Sequence, residues 1–415
     1  MVDLLYYVGM NTSQEKARFG SALSTAKDSP DAFRMAIAKA REALFSKRGE
    51  DEEGVEKPSL AMIFCSPHHA EFLDNMASFL PEWLGTETVI GCTGESILGR
   101  GTEIEFEPAV SVWLARFPSS IQIDTVRLSF NQTADGGVIE GWPEDYSASW
   151  PDGSVMTLLG DPYTFPADLL LEQMNEDRPG VRVIGGMASA SSPGGNRLIC
   201  GGKVYRNGAV FAMLRGPVRM RTVVSQGCRP IGKPFVVTKS ERNVIHALGG
   251  KPALLQLKEI FDSLPTREQH LVQNALHLGR VVSEYQDHFE PGDFLIRNVM
   301  GWDPKDGSIA IGDFVRVGQT VQFHIRDAEI ASVDLRERLQ AARSAIQSNQ
   351  WGALMFTCNG RGTHLFQRPN HDANCLESTF ADTPVAGFFA AGEIGPVGKQ
   401  NFMHGFTASI AIFEP

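Results

Sequence analysis

The chain has 415 residues, 42% of them hydrophobic and 21% charged. This is the balance of an ordinary globular protein of two or three domains, long enough to fold without a structural metal or a disulfide framework. Its 38 Lys and Arg stand against 49 Asp and Glu, a net charge of −11 with no local basic cluster, and that field speaks against nucleic-acid binding.

The six cysteines, Cys65, Cys92, Cys200, Cys228, Cys358 and Cys375, form no C-x-x-C pair and are irregularly spaced. Free thiols in a reducing cytosol are expected. Met1 to Arg18 lacks a basic segment followed by an apolar one, so no secretory signal is read. Apolar runs such as Val385–Ala391 are far shorter than the about 20 residues that span a bilayer. A cytoplasmic protein without membrane contact is expected.

In chain order, Ser29-Pro30 opens a helix whose apolar face is Phe33, Ile37, Ala40 and Leu44. Lys47 and Arg48 fall in its last turn, Gly49 ends it, and Glu50–Glu53 reads as a solvated loop. A second helix, around His69–Leu80, is expected to stop at Pro81, and a third runs from Pro166 to before Pro179. Asn207-Gly208, between Val204–Arg206 and Ala209–Phe211, predicts a hairpin. Ser240–Leu248 and Pro252–Leu264 predict two short helices about a Gly-Gly break, and Thr266–Gln269 a capping box opening another. Trp302–Gly307 reads as a turn between strands. Val321, Phe323 and Ile325 alternate with Gln322, His324 and Arg326, which predicts a strand with one wet face. Leu335, Leu339, Ala342 and Ile346 mark a last amphipathic helix.

The informative feature is an internal repeat. Three buried strands end in polar or Gly-rich turns: Ala61–Pro67, Val155–Pro162 and Leu354–Gly360. Each is followed by a second Gly-rich strand end, at Ile90–Ser96, Ile184–Ser189 and Phe389–Ile394. An apolar strand then closes each unit, at Val110–Phe117, Ala209–Leu214 and Thr407–Phe413. The predicted fold is α/β (α+β layered), with repeated strand–helix–strand–strand units and mixed or antiparallel sheets covered by helices, in two modules. The Gly-rich turns would gather at one end of the strands, where a missing Cβ lets backbone approach a ligand. Tight turns and bulges without a ligand are the plainer alternative.

Most chemical motifs fail. Gly227–Pro234 nearly spells a P-loop, but Pro234 stands where the Mg²⁺-binding Ser or Thr belongs. Cys358, His364, His371, Asp372 and Cys375 match no common zinc spacing, so neither metal nor cofactor is expected. Cys358 is a candidate nucleophile, with His364 or His404 as base and Arg361 to depress its pKa. Ligand contact is the preferred reading of the polar turn residues. Arg361 would grip a carboxylate, Glu393 and Glu95 an ammonium, and Asn359, Asn401 and His404 would hydrogen-bond, with Ser96 and Ser189 at the matching turns. The alternative for Arg361 and Glu393 is that they pair with each other and brace the turns.

Several stretches resemble a known family. Phe356–Gly362, His371-Asp372, Gly387–Gly398 and Asn401–Thr407 are similar to the C-terminal FIST module, and Gln226–Gly232, Val237-Thr238 and Gly250–Ala253 to its start. Ser21–Ser24, Val89–Ser96 and Ile184–Gly186 resemble the N-terminal FIST module. The resemblance runs from about residue 17 to the end and sets boundaries at 1–16 (extension), 17–217 and 218–415. It implies a bacterial-type sensory input module of intracellular signal transduction, proposed to bind small molecules such as amino acids. It supplies no catalytic residue set. No F-box is expected before residue 17 and no output segment after residue 415, so the signal would pass to a separate signalling protein. The expected function is reversible binding of a small, polar, amino-acid-like ligand, without catalysis. A cysteine-dependent hydrolase or transferase using Cys358, and an adaptor that binds only protein, are the alternatives.

Overall fold

The computed structural model describes residues 16–46, 57–133, 136–146, 150–190, 192–285, 288–289, 292–348 and 350–415. Lys47–Glu53, read above as a helix end and a loop, lies outside them. Three copies of one four-stranded unit make the body.

The first copy contains β1 (Arg18–Ser24), α1 (Ser29–Phe45), β2 (Leu60–Cys65), α2 (Ala70–Met76), α3 (Leu80–Leu84) and β3 (Val89–Thr93), then β4 (Ser96–Gly99), β5 (Thr102–Glu105) and β6 (Val110–Arg116). The second contains β7 (Gln122–Thr133), β8 (Gly136–Glu140), β9 (Val155–Gly160), α4 (Ala167–Asp177) and β10 (Arg182–Met187), then β11 (Leu198–Cys200), β12 (Lys203–Tyr205) and β13 (Ala209–Arg215). The third opens with β14 (Met220–Ser225) and is interrupted by an insertion. The insertion holds β15 (Arg229–Glu241), β16 (Val244–Leu248), β17 (Lys251–Pro252), α5 (Ala253–Ser263), α6 (Thr266–Asn274), β18 (Leu276–Val281), β19 (Phe294–Asp303), β20 (Ser308–Ile311) and β21 (Thr320–Ile325). The third copy resumes with α7 (Ala328–Ser344), β22 (Gly352–Cys358), α8 (Gly362–Phe366), α9 (His371–Thr379), β23 (Val385–Ala390), β24 (Glu393–Val397), β25 (Gln400–His404) and β26 (Ala408–Phe413).

The pairing is the same each time. The first two repeat strands run parallel (β2 with β3, β9 with β10, β22 with β23), and the closing strand (β6, β13, β26) lies antiparallel to the first. The sequence repeat is therefore a structural one. Each sheet is then extended by a hairpin from another copy. The β11–β12 hairpin pairs with β3, β24–β25 with β10, and β4–β5 with β23, so the exchange closes in a ring. The inner faces of the three sheets share one core, including Phe64, Trp113, Leu159, Ile184, Phe356 and Phe388. Helices cover the outer faces: α1 to α3, α4, and α7 with α9.

One glycine per copy allows this packing. A Cβ on Gly91 would sit 2.2 Å from the Ile63 carbonyl oxygen. On Gly185 and Gly387 it would sit 1.8 Å from those of Leu158 and Met355. All three face the first strand from the second at matching register.

The insertion is a separate unit. Strands β15, β21, β18, β19, β20 and β16 pair in that order, and β16 returns to β15, closing a six-stranded antiparallel barrel. Phe235, Leu278, Ile309, Val321 and Phe323 fill it, with α5 and α6 packed against it.

Several expectations are corrected here. The helical run from residue 67 passes Pro81, because that proline stands in the first turn of α3, where no N–H is needed. Asn207-Gly208 joins two different sheets instead of closing a hairpin, since β12 pairs with β11 and β13 with β7 and β9. Residues 240–248 are strand, because Arg242 takes a positive φ of 54° and turns β15 back into β16. Thr266 begins α6 but caps nothing; Pro265 is the N-cap residue. Strand β21 has no wet face: Gln322 bonds the Gly232 carbonyl and His324 packs on Phe294.

Gly387→Ala forces a methyl group into backbone, and an overpacked core loses about 3 kcal/mol. Denaturant unfolding monitored by tryptophan fluorescence should show that loss. A change near zero would mean that the strands part easily and that the glycine is incidental.

Candidate functional site

The most buried charges lie at the end of β22. Arg361 is fully buried, and its fork is taken by Asp372: Nε to Oδ2 at 2.6 Å and Nη2 to Oδ1 at 2.9 Å. Its remaining nitrogen, Nη1, reaches the Phe406 carbonyl at 3.4 Å. The fork expected to grip a ligand carboxylate is thus taken by Asp372, and the alternative brace with Glu393 is not formed either. Burial alone would raise the Asp372 carboxyl. The Arg361 charge and hydrogen bonds, with His371, outweigh it and hold that carboxyl well below the usual range.

Asp372 also accepts from Thr357 at 2.7 Å and bonds His371 Nδ1 at 2.8 Å, while His371 Nε2 meets Ser332 Oγ at 2.9 Å. Those are the distances of a Ser-His-Asp triad. The site is sealed, however. Ser332 is 5% exposed, on the face of α7 that packs against α9, and the Asp372 charge is spent on Arg361.

Cys358 lies near Glu393, and its sulfur accepts from the Gly360 N–H at 3.4 Å. Burial, then the nearby Glu393 carboxyl, pushes the thiol up to about 12. Among the described residues no histidine ring lies within hydrogen-bond distance of Cys358. His364 is exposed, and His404 donates from Nε2 to the Gly395 carbonyl at 3.0 Å. Burial raises Glu393 to about 8, against the Thr407 N–H that Oε2 accepts at 2.9 Å and the charges of Arg361 and Arg326. Glu393 Oε1, Asn359 Oδ1 and Arg326 Nε are all buried without a partner.

The Gly-rich turns do meet. Ser189 accepts from the Glu95 N–H at 2.9 Å, donates to the Phe389 carbonyl, and its own N–H reaches Thr93 O at 3.2 Å, so it pins all three copies together. Ser96 accepts from the Phe106 N–H at 3.3 Å. Glu95 is half-buried, its carboxyl raised by burial, with no side-chain partner among the described residues. Asn401 is spent on structure: its side chain bonds Val181, Val183 and Asn175, and its backbone N–H and carbonyl both bond Asn175.

A cleft of about 930 Å³ opens between α4, the β24–β25 hairpin and the barrel. Of the residues singled out from sequence, Asn401 and His404 line it. Burial depresses His404 to about 4, so its ring is neutral. Because Nε2 faces a carbonyl, it carries the proton, and Nδ1 is a bare acceptor, buried and unpartnered. The barrel wall is cationic: Arg242, Arg280, Arg297 and Arg316. Asp313 pairs with Arg280 at 3.4 Å and with Arg297 at 3.0 Å, whereas Arg242 and Arg316 make no ion pair among the described residues. The α4 wall carries Asp168 and Glu172. Sequence reading missed both walls. Their charges come from distant segments, and Arg242 was placed on a helix. The signal that remained was the pair of arginines on neighbouring strands, Arg280 and Arg297.

The chain matches the FIST N domain over residues 59–251 and the FIST C domain over residues 253–396. It belongs to the FIST family. An uncharacterized protein of Mycobacterium bovis is 42% identical over 385 residues, covering 92% of this chain and 96% of its own length. An uncharacterized protein of Mycobacterium tuberculosis is 41% identical over 397 residues, covering 95% and 99%. FIST domains are sensory modules of signal transduction. Among the described residues of this FIST chain, no helix is long and apolar enough to cross a membrane.

Two outcomes follow for the buried charges. Asp372→Asn strands Arg361 in the core and should cost about 3–5 kcal/mol in denaturant unfolding; a loss below about 1 kcal/mol would mean that the pair does not brace the turn. Glu393 and Glu103 both sit near 8 when folded, against 4.5 as their ordinary value, so the folded state holds extra protons between. Stability should therefore fall as pH rises from about 4.5 to 8. Glu393→Gln, which cannot ionise, should flatten part of that fall in thermal unfolding; an unchanged slope would show that Glu393 is ionised in the native state.

Proposed function

We propose that the chain binds a small, polar, amino-acid-like ligand in the cleft between α4, the β24–β25 hairpin and the barrel, and passes the signal to a partner protein. The observation that carries this reading is the charge arrangement of the cleft. One wall offers two guanidiniums with no ion pair among the described residues, Arg242 and Arg316, and the other offers two carboxylates, Asp168 and Glu172. A zwitterion answers both. Planar guanidinium suits the ligand carboxylate, and Asp168 and Glu172 suit its ammonium.

The same geometry supplies a route for the signal. A ligand that touches both α4 and the barrel binds best when these stand at one separation, so it shifts the population toward that arrangement. Phe406 sits at the joint. It takes a positive φ of 64°, lines the cleft, and its carbonyl receives Arg326 of the barrel end and Arg361 of the body. A bulky residue in that conformation is held there by its surroundings. The cysteine-based alternative finds no support in a thiol at about 12 with no histidine within hydrogen-bond distance among the described residues.

A thermal-shift screen against the amino acids tests the reading. A ligand at a hundredfold excess over its Kd adds about 2.7 kcal/mol, on the order of 5 °C for a chain of this size. The Arg242→Ala/Arg316→Ala double variant should melt like the parent without ligand and lose most of the shift. No shift with any amino acid would remove a single amino acid as the occupant of the cleft.

A further inference from the structure

The following rests on the cleft reading above and narrows its occupant. We infer that the cleft takes a short peptide of two or three residues, uncapped at both ends and apolar in its side chains, in preference to a single free amino acid.

Size is the first reason. At about 930 Å³ the cleft lies near the top of the range, roughly 300–1,000 Å³, that encloses drug-sized ligands. One amino acid would leave most of that space to water. The second reason is where the unlike charges stand. Asp168 and Glu172 belong to α4, whereas Arg242 sits at the β15–β16 turn and Arg316 in the β20–β21 loop, so the unlike charges stand on separate elements of the lining. A free amino acid carries both charges on one Cα. A peptide separates them by about 3.3 Å for every residue of extended chain.

The lips are the third reason. Leu169 on α4 is 50% exposed and Phe314 on the barrel 72% exposed, and both border the cleft, with half-buried Phe402 and Met403 on its floor. Large apolar side chains exposed on both sides of a charged cleft mark a surface that an apolar body covers. A phosphate ligand would meet Asp168 and Glu172 as like charges. Nor does the peptide add a strand to β25. The outward N–H and carbonyl of Asn401 are held by Asn175, and the Met403 carbonyl is held by Arg297 at 3.2 Å. The peptide is therefore read by its two ends and its side chains, which limits its length.

Calorimetric titration of the full chain would use four probes. These are a mixture of leucine, phenylalanine, valine and alanine; a library of free tripeptides built from the same four; and that library N-acetylated or C-amidated. The free tripeptides should bind at least tenfold tighter than the amino acids, and each cap should remove about tenfold. Phe314→Ser should weaken the tripeptides by a larger factor than it weakens the amino acids. Equal affinity for amino acids and tripeptides would overturn the peptide and keep the amino-acid reading. Capped tripeptides binding as tightly as free ones would overturn the reading of both ends. If neither class binds the folded chain, the peptide falls together with the cleft reading.

Discussion

Three carbonyl oxygens set the spacing on which the rest of this protein depends. Those of Ile63, Leu158 and Met355 stand so close to Gly91, Gly185 and Gly387 that no side chain fits between. The close approach draws the second strand of each copy against the first. That in turn brings three sheets near enough for one core to serve all of them. Phe64, Phe356 and Phe388 then pack ring against ring at 5.3 to 6.1 Å, across two copies of the repeat. The ends of β3, β10 and β23 consequently share hydrogen bonds through Ser189. Much of what looks like a ligand-ready turn is occupied in holding the copies to one another.

Polar burial follows a different logic at the seam between the body and the barrel. Arg361 and Asp372 satisfy each other, so the pair resists displacement and fixes the turn after β22. Glu393 remains neutral because burial outweighs two nearby guanidiniums. His404, on the paired strand opposite Glu393, is neutral for the same reason. Of these groups His404 lines the cleft, where its neutral ring stands among the charged side chains of the walls.

The repeat was legible because strand ends leave a local mark: an apolar run, then Gly and a small polar residue. All nine strands read in that way are present, with the closing strand beside the first in every copy. The barrel was not legible as a barrel. Its strands alternate poorly, since β21 is buried on both faces and residues 240–248 place apolar side chains at spacings that suit a helix as well. Asn207-Gly208 misled because a tight turn fixes local geometry only, and which sheet receives the next strand is decided by Gly160 and Leu128 far away in sequence. Arg361 was legible as important but not as to its partner: Asp372 stands eleven residues on, in the first turn of α9. The cleft was out of reach for the same reason. Its opposed walls come from residues 168–175 and 242–319, and no local pattern records that they face each other.

The ring of exchanged hairpins also orders events in time. The sheet of the second copy lacks its outer pair of strands until Glu393–His404 has been made, almost at the end of the chain. The third sheet, begun at Met220, closes only when Ala408–Phe413 pairs with it. Pairings so distant in sequence form slowly, and open strand edges invite wrong partners while they wait. On a ribosome the first sheet can be finished once β11–β12 has emerged, whereas the second waits for β24–β25 and the third for β26. Loss of Ala408–Phe413 would part β14 from β22 and open two edges within the third sheet, so its effect would reach well beyond the strand removed.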